Sequence, residues 1–238
     1  AISKVAAEFP DTKFSIIDVS WLDAPNLRQY AFKEHEGRYI VGVAAAKASK
    51  TGKVGFVGGM DIGLIRRFGC GYVGGVKSVN AHAEVYQNMT GTTPSAWNDP
   101  AKGAELTQSQ IDRGADVVYH AAGGTGAGVI QAAADAGKLA IGVDSNQNGM
   151  APGSVLTSML KRVDVAAYET FMDVKNGNFS AGVHVLGLAE GGVDWALDEN
   201  NASLVTDDMK AAIESARADI ISGKVKVHDY FSDESCPY

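Results

Sequence analysis

Several residue types and motifs that define common protein classes are scarce or absent in this chain. Its 238 residues include two cysteines, Cys70 and Cys236, and no Cys/His spacing typical of a zinc site. The cysteines leave two interpretations open: a buried thiol with a free thiol near the C-terminus, or a disulfide, which requires an oxidising compartment and close Cα atoms. No run of about 18 apolar residues is present, so no membrane-spanning helix is predicted.

Positive charge is also in short supply. Lys and Arg number 21 against 28 Asp and Glu, which gives a net charge of −7. Binding to nucleic acid needs clustered Lys and Arg to neutralise phosphates, so we expect no nucleic-acid partner. A signal peptide and a lipidation motif are absent from these residues.

Sequence motifs of catalysis are missing too. There is no G-x-S-x-G nucleophile elbow, no G-x-G-x-x-G fingerprint between a strand and a helix, and no defined pair of carboxylates. His35 lies between Glu34 and Glu36, a pattern more typical of a helix start than of a general base. We therefore predict that the chain is not an enzyme and needs no cofactor and no metal.

Glycine is abundant, with 28 residues of 238, and apolar segments alternate between two periodicities. The Gly share exceeds the usual value of about 7%, which favours tight turns and close backbone approaches. Predicted strands cover 13–18, 28–32, 53–57, 83–88, 116–121, 139–143, 154–158 and 183–188. Predicted helices cover 1–9, 35–50, 62–79, 100–113, 126–136, 163–175 and 207–222. Alternating β and α elements with nearly unbroken apolar strands predict an α/β fold with parallel sheets covered on both faces.

Candidate binding residues follow the strands, where open α/β sheets place their ligands. Asp144 ends an apolar strand, so its carboxylate needs a partner: a ligand hydroxyl, a Lys or Arg, or the N–H groups of a helix that it caps. Lys161 follows the next strand, is expected at the start of a helix, and is the natural partner of Asp144. Gly123 opens a Gly-rich turn, which fits either a phosphate site or a plain tight turn.

A tryptophan marks a third turn. Trp97 precedes Asp99 and Pro100, which are typical of an N-cap followed by the first helical residue. Trp97 is therefore either a hydrophobic staple for that helix or an aromatic platform for a ligand.

Together these segments resemble one family, the basic membrane proteins, which are PnrA/TmpC-like purine nucleoside receptor lipoproteins of ABC importers. The resemblance runs from residue 1 to about residue 220 and keeps six motifs in order. They are Phe32–Gly37, Val54–Met60, Trp97–Gly103, Ala122–Gly126, Ile141–Asp144 and Val155–Asp164.

The resemblance implies a type I periplasmic-binding-protein fold, with two three-layer α/β lobes and a ligand cleft between them. Residues 1–50 and about 158–180 would form lobe one, and residues 53–153 and about 183–200 lobe two. The helix and tail of 201–238 are assigned to neither lobe. Family members begin with a further βα unit and a lipidated Cys, so roughly 80 residues of lobe one would be missing here.

The resemblance also implies function. Trp97 matches the residue that stacks on a purine, while Gly123, Asp144 and Lys161 match residues that contact the nucleoside, chiefly its ribose. The expected ligand is a purine nucleoside such as adenosine, guanosine or inosine, and the expected partner is an ABC permease. The expected location is extracytoplasmic, with a lipid anchor on the full-length protein. An exposed sheet edge would favour a homodimer. A binding protein for a sugar or another small polar solute is the alternative.

Overall fold

The computed structural model describes all 238 residues, Ala1 to Tyr238, in seven α-helices and nine β-strands. The strands are β1 (Phe14–Ile17), β2 (Leu27–Phe32), β3 (Lys53–Met60), β4 (Glu84–Gly91), β5 (Val117–Ala121), β6 (Leu139–Asp144), β7 (Val155–Lys161), β8 (Gly182–Leu186) and β9 (Val193–Trp195). The helices are α1 (Ile2–Glu8), α2 (Glu34–Ala48), α3 (Gly63–Val79), α4 (Pro100–Asp112), α5 (Gly126–Asp135), α6 (Val163–Asn176) and α7 (Asp207–Ile221). None of the helices combines the length and apolar character needed to cross a membrane.

The chain divides into two compact units. Unit 1 contains Ala1–Lys33 and Lys161–Asp194, and unit 2 contains Glu34–Leu160 and Trp195–Tyr238. Both units hold α/β structure: strands β1, β2 and β8 pair in parallel in unit 1, and strands β3 to β7 pair in parallel in unit 2. The α/β architecture expected from the alternating periodicities is thereby confirmed.

Unit 1 is built on a three-stranded sheet in the order β1-β2-β8. The central strand β2 buries Leu27, Tyr30 and Phe32, so that it contacts covering structure on both faces. Arg28 of β2 is 1% exposed, and its guanidinium is held by Asp173 of α6 at 2.7 Å. This ion pair ties α6 to the sheet.

Unit 2 is built on a six-stranded sheet in the order β4-β3-β5-β6-β7-β9. Its core includes Phe56, Tyr72 and Tyr119, whose rings lie 5.2–6.4 Å apart. Because β3 to β7 run parallel, their carboxyl ends lie along one edge of this sheet. That edge collects the turns that carry the candidate residues.

Glycine lets helices α2 and α3 approach closely. A Cβ on Gly75 of α3 would lie 1.9 Å from the carbonyl oxygen of Tyr39, and one on Gly42 of α2 would lie 2.3 Å from that of Tyr72. The run Gly69-x-Gly71-x-x-Gly74 lies inside α3, where Gly71 faces α2, Gly69 faces Phe56 and Gln87 of the sheet, and Gly74 faces Tyr238 of the tail. Part of the glycine excess is thus explained by close approach of two helices.

The observed division differs from the expected lobes in two segments. Residues 34–50, expected in lobe one, fall in unit 2, because α2 packs along α3 rather than on β2. Strand β8, expected in lobe two, falls in unit 1, because it pairs with β2 over Arg28–Phe32. The tail of 201–238 belongs to unit 2. One strand, β9, was not expected from the sequence.

The two cysteines form a disulfide within unit 2. Cys70 of α3 and Cys236 of the tail have Cα atoms 5.6 Å apart and are separated by 166 residues in sequence. The tail is held again by Asp229, whose carboxylate accepts two hydrogen bonds from Arg67 at 2.6 and 2.7 Å. Burial alone would raise the pKa of Asp229, but the hydrogen bonds and charge of Arg67 outweigh burial and lower it. Of the two interpretations of the cysteines, the disulfide is correct.

Candidate functional site

Three of the four predicted binding residues lie on neighbouring turns of the unit 2 sheet edge. In the sheet order β4-β3-β5-β6, Trp97 follows β4, Gly123 follows β5 and Asp144 ends β6. The end of β3, which lies between β4 and β5, contributes Gly59. The edge therefore presents an indole, a glycine turn and a carboxylate in spatial sequence.

Trp97 lies against the backbone of β3. A Cβ on Gly59 would lie 2.3 Å from Cζ3 of the Trp97 indole, so only glycine at that position leaves room for the ring. Trp97 ends a short 3₁₀ turn, Pro94–Trp97, and is partly exposed. The indole is thereby seated on a rigid strand and keeps some contact with solvent.

Hydrogen bonds fix the turn that carries Trp97. The Thr125 hydroxyl donates to the carbonyl of Ala96 at 2.8 Å and accepts from the Asp99 N–H at 2.7 Å. Asp99 in turn accepts from the Lys102 N–H at 2.9 Å, and Pro100 is the first residue of α4. The predicted N-cap and helix start are confirmed. Thr125 joins the Trp97 turn to the glycine turn.

Gly123 adopts a left-handed backbone conformation with φ of 56°, which favours glycine. It begins a 3₁₀ turn, Gly123–Thr125, that leads into α5, and it is exposed. A Cβ there would approach the Trp97 carbonyl oxygen to 3.2 Å. The residue therefore serves the turn geometry and leaves the backbone open to solvent beside the indole.

Asp144 is more exposed than its position at the end of an apolar strand predicts. Its side chain is 54% exposed, and its partner is Arg38 of α2, whose Nη2 donates to Oδ1 at 3.1 Å. The backbone of Asp144 has φ of 64°, a left-handed conformation that Asp and Asn tolerate better than other side chains. This conformation ends β6 and turns the carboxylate away from the strand. The predicted partner Lys161 is therefore not the cation that holds Asp144 in unit 2.

We expected Lys161 at the start of a helix, but it is the last residue of β7. Its side chain is 6% exposed, and its ammonium binds Asp18 at 2.5 Å within unit 1. The ammonium also lies 5.0 Å from the centre of the Phe32 ring, within range of a cation–π interaction. A buried lysine needs such partners because desolvation opposes its charge.

Asp18 is a residue that sequence reasoning missed. It follows β1, has φ of 61° and is 41% exposed. The signal was present, because Asp18 ends the apolar run Phe14–Ile17 in the same way that Asp144 ends β6. Applying the same rule to both strand ends would have identified both aspartates.

A buried histidine supports the turn after β6. His120 of β5 is fully buried, and its Nε2 lies 2.9 Å from Oε1 of Gln147, which also accepts the Val143 N–H at 2.8 Å. Since this oxygen only accepts, Nε2 carries the proton of a neutral imidazole. Burial lowers the pKa of His120 to about 4, so it is uncharged near neutral pH. A Cβ on Gly126 would lie 2.0 Å from the imidazole.

No three His, Cys, Asp or Glu side chains converge where they could hold a metal ion. The edge of the unit 2 sheet instead offers an aromatic ring, an exposed turn and the carboxylate of Asp144, which is paired with the buried Arg38. Such groups bind neutral polar molecules through stacking and hydrogen bonds.

Solved structures of solute-binding proteins share the α/β architecture of these units. An ABC transporter solute-binding protein from Aeropyrum pernix K1 matches with a TM-score of 0.82 and 29% identity, covering 94% of this chain and 73% of that one. One from Conexibacter woesei DSM 14684 shares the fold, with a TM-score of 0.80 and 24% identity over 96% of this chain and 75% of that one.

The family follows from the sequence itself. Residues 1–230 match the family described as ABC transporter substrate-binding protein PnrA-like, and the chain belongs to it. The chain is 37% identical to the ABC transporter nucleoside-binding protein BmpA of Lactococcus lactis, covering 95% of this chain and 67% of that protein. It is 32% identical to basic membrane protein A of Borreliella burgdorferi, covering 95% of this chain and 67% of that protein. The expected family and fold class are thus confirmed, and the chain spans about two thirds of these relatives.

Proposed function

We propose that this chain captures a purine nucleoside, such as adenosine, guanosine or inosine, for an ABC importer. The observation that carries the proposal is the edge of the unit 2 sheet, where the indole of Trp97 and the exposed carboxylate of Asp144 lie on either side of the Gly123 turn. A nucleoside has one flat aromatic face and one vicinal diol. The edge offers a complementary group for each.

Each residue has a chemical role in this proposal. Trp97 stacks on the purine, a contact worth about 1–3 kcal/mol. Asp144 accepts hydrogen bonds from the ribose hydroxyls, which are stronger than neutral ones because the acceptor is charged. Gly123 lets the ligand approach the backbone closely. Lys161, held by Asp18, donates to a ligand hydroxyl. The name of the Lactococcus lactis relative, a nucleoside-binding protein, supports the same class of ligand.

A thermal-shift panel tests the ligand class. The chain is melted with adenosine, guanosine, inosine, ribose, glucose and NAD, alongside D144N and the control D208N. Asp208 pairs with Lys47 on the surface of unit 2, so D208N changes the charge equally and leaves the sheet edge intact. We expect stabilisation by nucleosides in the original chain and in D208N only. Stabilisation by sugars without nucleosides would replace the proposal with the sugar-binding alternative.

We propose binding without chemical conversion. Nucleoside recovered from the protein after long incubation should be unchanged by chromatography. Free base or a phosphorylated product formed in proportion to protein concentration would contradict the proposal.

We further propose that the full-length protein acts outside the cytoplasm, lipid-anchored beside its permease. The disulfide between Cys70 and Cys236 supports an oxidising compartment, because disulfides are rare where thiols are kept reduced. Thiol alkylation of the protein in intact cells should leave both cysteines unlabelled until a reductant is added. Labelling without reduction would contradict the location.

A homodimer of the chain is proposed through unit 1. Strand β1 lies at the edge of its three-stranded sheet, and an edge strand offers unpaired backbone groups to a second copy. Light scattering after gel filtration should give twice the mass of the chain. A monomer at every concentration would exclude the dimer.

A further inference from the structure

Arg38 is a fully buried arginine whose charge is balanced by a carboxylate at the edge of the unit 2 sheet. It has no exposed surface, its guanidinium carbon lies 3.5 Å from the centre of the Phe68 ring, and Nη1 contacts Sδ of Met159 at 3.3 Å. The phenol of Tyr119 is also buried, and burial raises its pKa to about 12. It therefore stays neutral and does not balance the charge of Arg38. The single carboxylate paired with Arg38 is that of Asp144.

This contact leaves the Asp144 carboxylate with two unlike oxygens. Oδ1 accepts from Arg38 at 3.1 Å, and the side chain is 54% exposed. The terminal torsion of an aspartate is broad, so a carboxylate without a fixed partner rotates freely. With Oδ1 tied to a guanidinium that is packed on Phe68, the rotation is restricted, and Oδ2 has one preferred direction.

We propose that Arg38 is a positioning residue that presents Oδ2 of Asp144 to the ribose hydroxyls and so sets the preference for a diol. The inference rests on the proposed nucleoside function. Arg38 does not touch the ligand. It acts by holding the carboxylate in one rotamer and by supplying its counter-charge from the buried side, which leaves the exposed side free for hydroxyl donors.

The test compares inosine with 2′,3′-dideoxyinosine by isothermal titration calorimetry. The ratio of the two dissociation constants isolates the contribution of the hydroxyls. In R38M, which fills a similar volume without donors, we expect that ratio to fall by about tenfold or more, the size of a hydrogen bond to a charged group. R28M is the matched control, because Arg28 is equally buried but lies near the amino end of β2 and pairs with Asp173. R28M should leave the ratio unchanged.

The outcomes separate the inference from the function on which it rests. If the original chain binds neither inosine nor dideoxyinosine, the nucleoside function fails. If it binds both equally, or if D144N keeps the preference for inosine, Asp144 does not recognise the hydroxyls and the role of Arg38 falls with it. If D144N loses the preference and R38M keeps it, the positioning role of Arg38 is overturned. Where R38M does not give native circular dichroism, R38Q is titrated instead. The guanidinium NMR signals of Arg38 in the unchanged chain provide a further readout, since they should shift with inosine and not with dideoxyinosine.

Discussion

The two units use the same local device with different support. In unit 2, Asp144 is held by Arg38, and in unit 1, Asp18 is held by Lys161. Both aspartates have left-handed backbones, with φ of 64° and 61°; Asp144 is the last residue of β6 and Asp18 is the first residue after β1. The cations are buried and lie near aromatic rings, at 3.5 Å for Arg38 and 5.0 Å for Lys161.

What differs is the structure behind each aspartate. Unit 2 has six strands, a disulfide and a turn after Asp144 that is fixed by His120 and by Ser158, whose hydroxyl accepts the Gln147 N–H at 2.9 Å. Unit 1 has three strands, and the N–H of Asp18 donates to the Tyr30 carbonyl at 2.8 Å. We therefore expect unit 2 to be the more rigid support for the proposed ligand.

Removing the disulfide should have the largest effect, because it closes a long loop in unit 2. Cys70 and Cys236 have a sequence separation of 166, and we expect the C70A/C236S variant to lose about 2–5 kcal/mol of unfolding free energy. Urea denaturation with and without dithiothreitol measures it. The reductant should destabilise the original chain and leave the variant unaffected. Equal stability of the two proteins would show that unit 2 does not depend on this support.

We expect the second largest effect from acid, which weakens the support that His120 gives to the turn after Asp144. In the folded chain the pKa of His120 is about 4 against an ordinary value of 6.5. The unfolded state therefore binds a proton between these values while the folded state does not, so the free energy of unfolding falls as pH drops from 6.5 to 4. The linkage amounts to about 3 kcal/mol at most.

The variant H120Q isolates this linkage from that of the carboxylates. Its amide can still donate to Gln147, but it does not titrate. Denaturation at pH 7 and pH 4.5 should show a smaller loss in H120Q than in the original chain. The same loss in both would mean that His120 is not buried in its neutral form.

The aromatic platform should contribute a smaller amount, to binding rather than to stability. W97A is expected to weaken purine nucleoside binding by about 1–3 kcal/mol, with W97F retaining most of the affinity. The control is F171A, which removes an aromatic ring that is 75% exposed on α6 of unit 1. Calorimetric titration with guanosine should separate W97A from F171A. Equal affinities would remove Trp97 from the site.

Most elements could be predicted because their apolar periodicity is long and regular. The exceptions have local reasons. Strand β9 has three residues, Val193–Trp195, which is too short for a period to appear. Lys161 was expected in a helix because β7 continues beyond its last apolar residue. Helix α2 was expected in lobe one because it follows β2 in sequence, whereas Gly42 and the glycines of α3 let it pack in unit 2.

The site could be predicted only in halves. From the sequence we predicted one member of each ion pair, the exposed carboxylate of Asp144 and the buried ammonium of Lys161. We also predicted that these two residues pair with each other. Arg38 was missed because an arginine inside a helix is usually exposed, and its burial follows from packing on Phe68. Which cation meets which carboxylate depends on the sheet order and on helix packing, and neither can be read from spacing along the chain.

The central claim is that Asp144 binds the ribose of a purine nucleoside, and one titration tests it directly. Guanosine is titrated into the original chain and into D144N, whose asparagine tolerates the left-handed backbone and lacks the charge. We expect saturable one-to-one binding that D144N weakens by about tenfold or more with unchanged circular dichroism. Equal affinity of the two proteins, or no binding of guanosine, adenosine or inosine by the original chain, would contradict it.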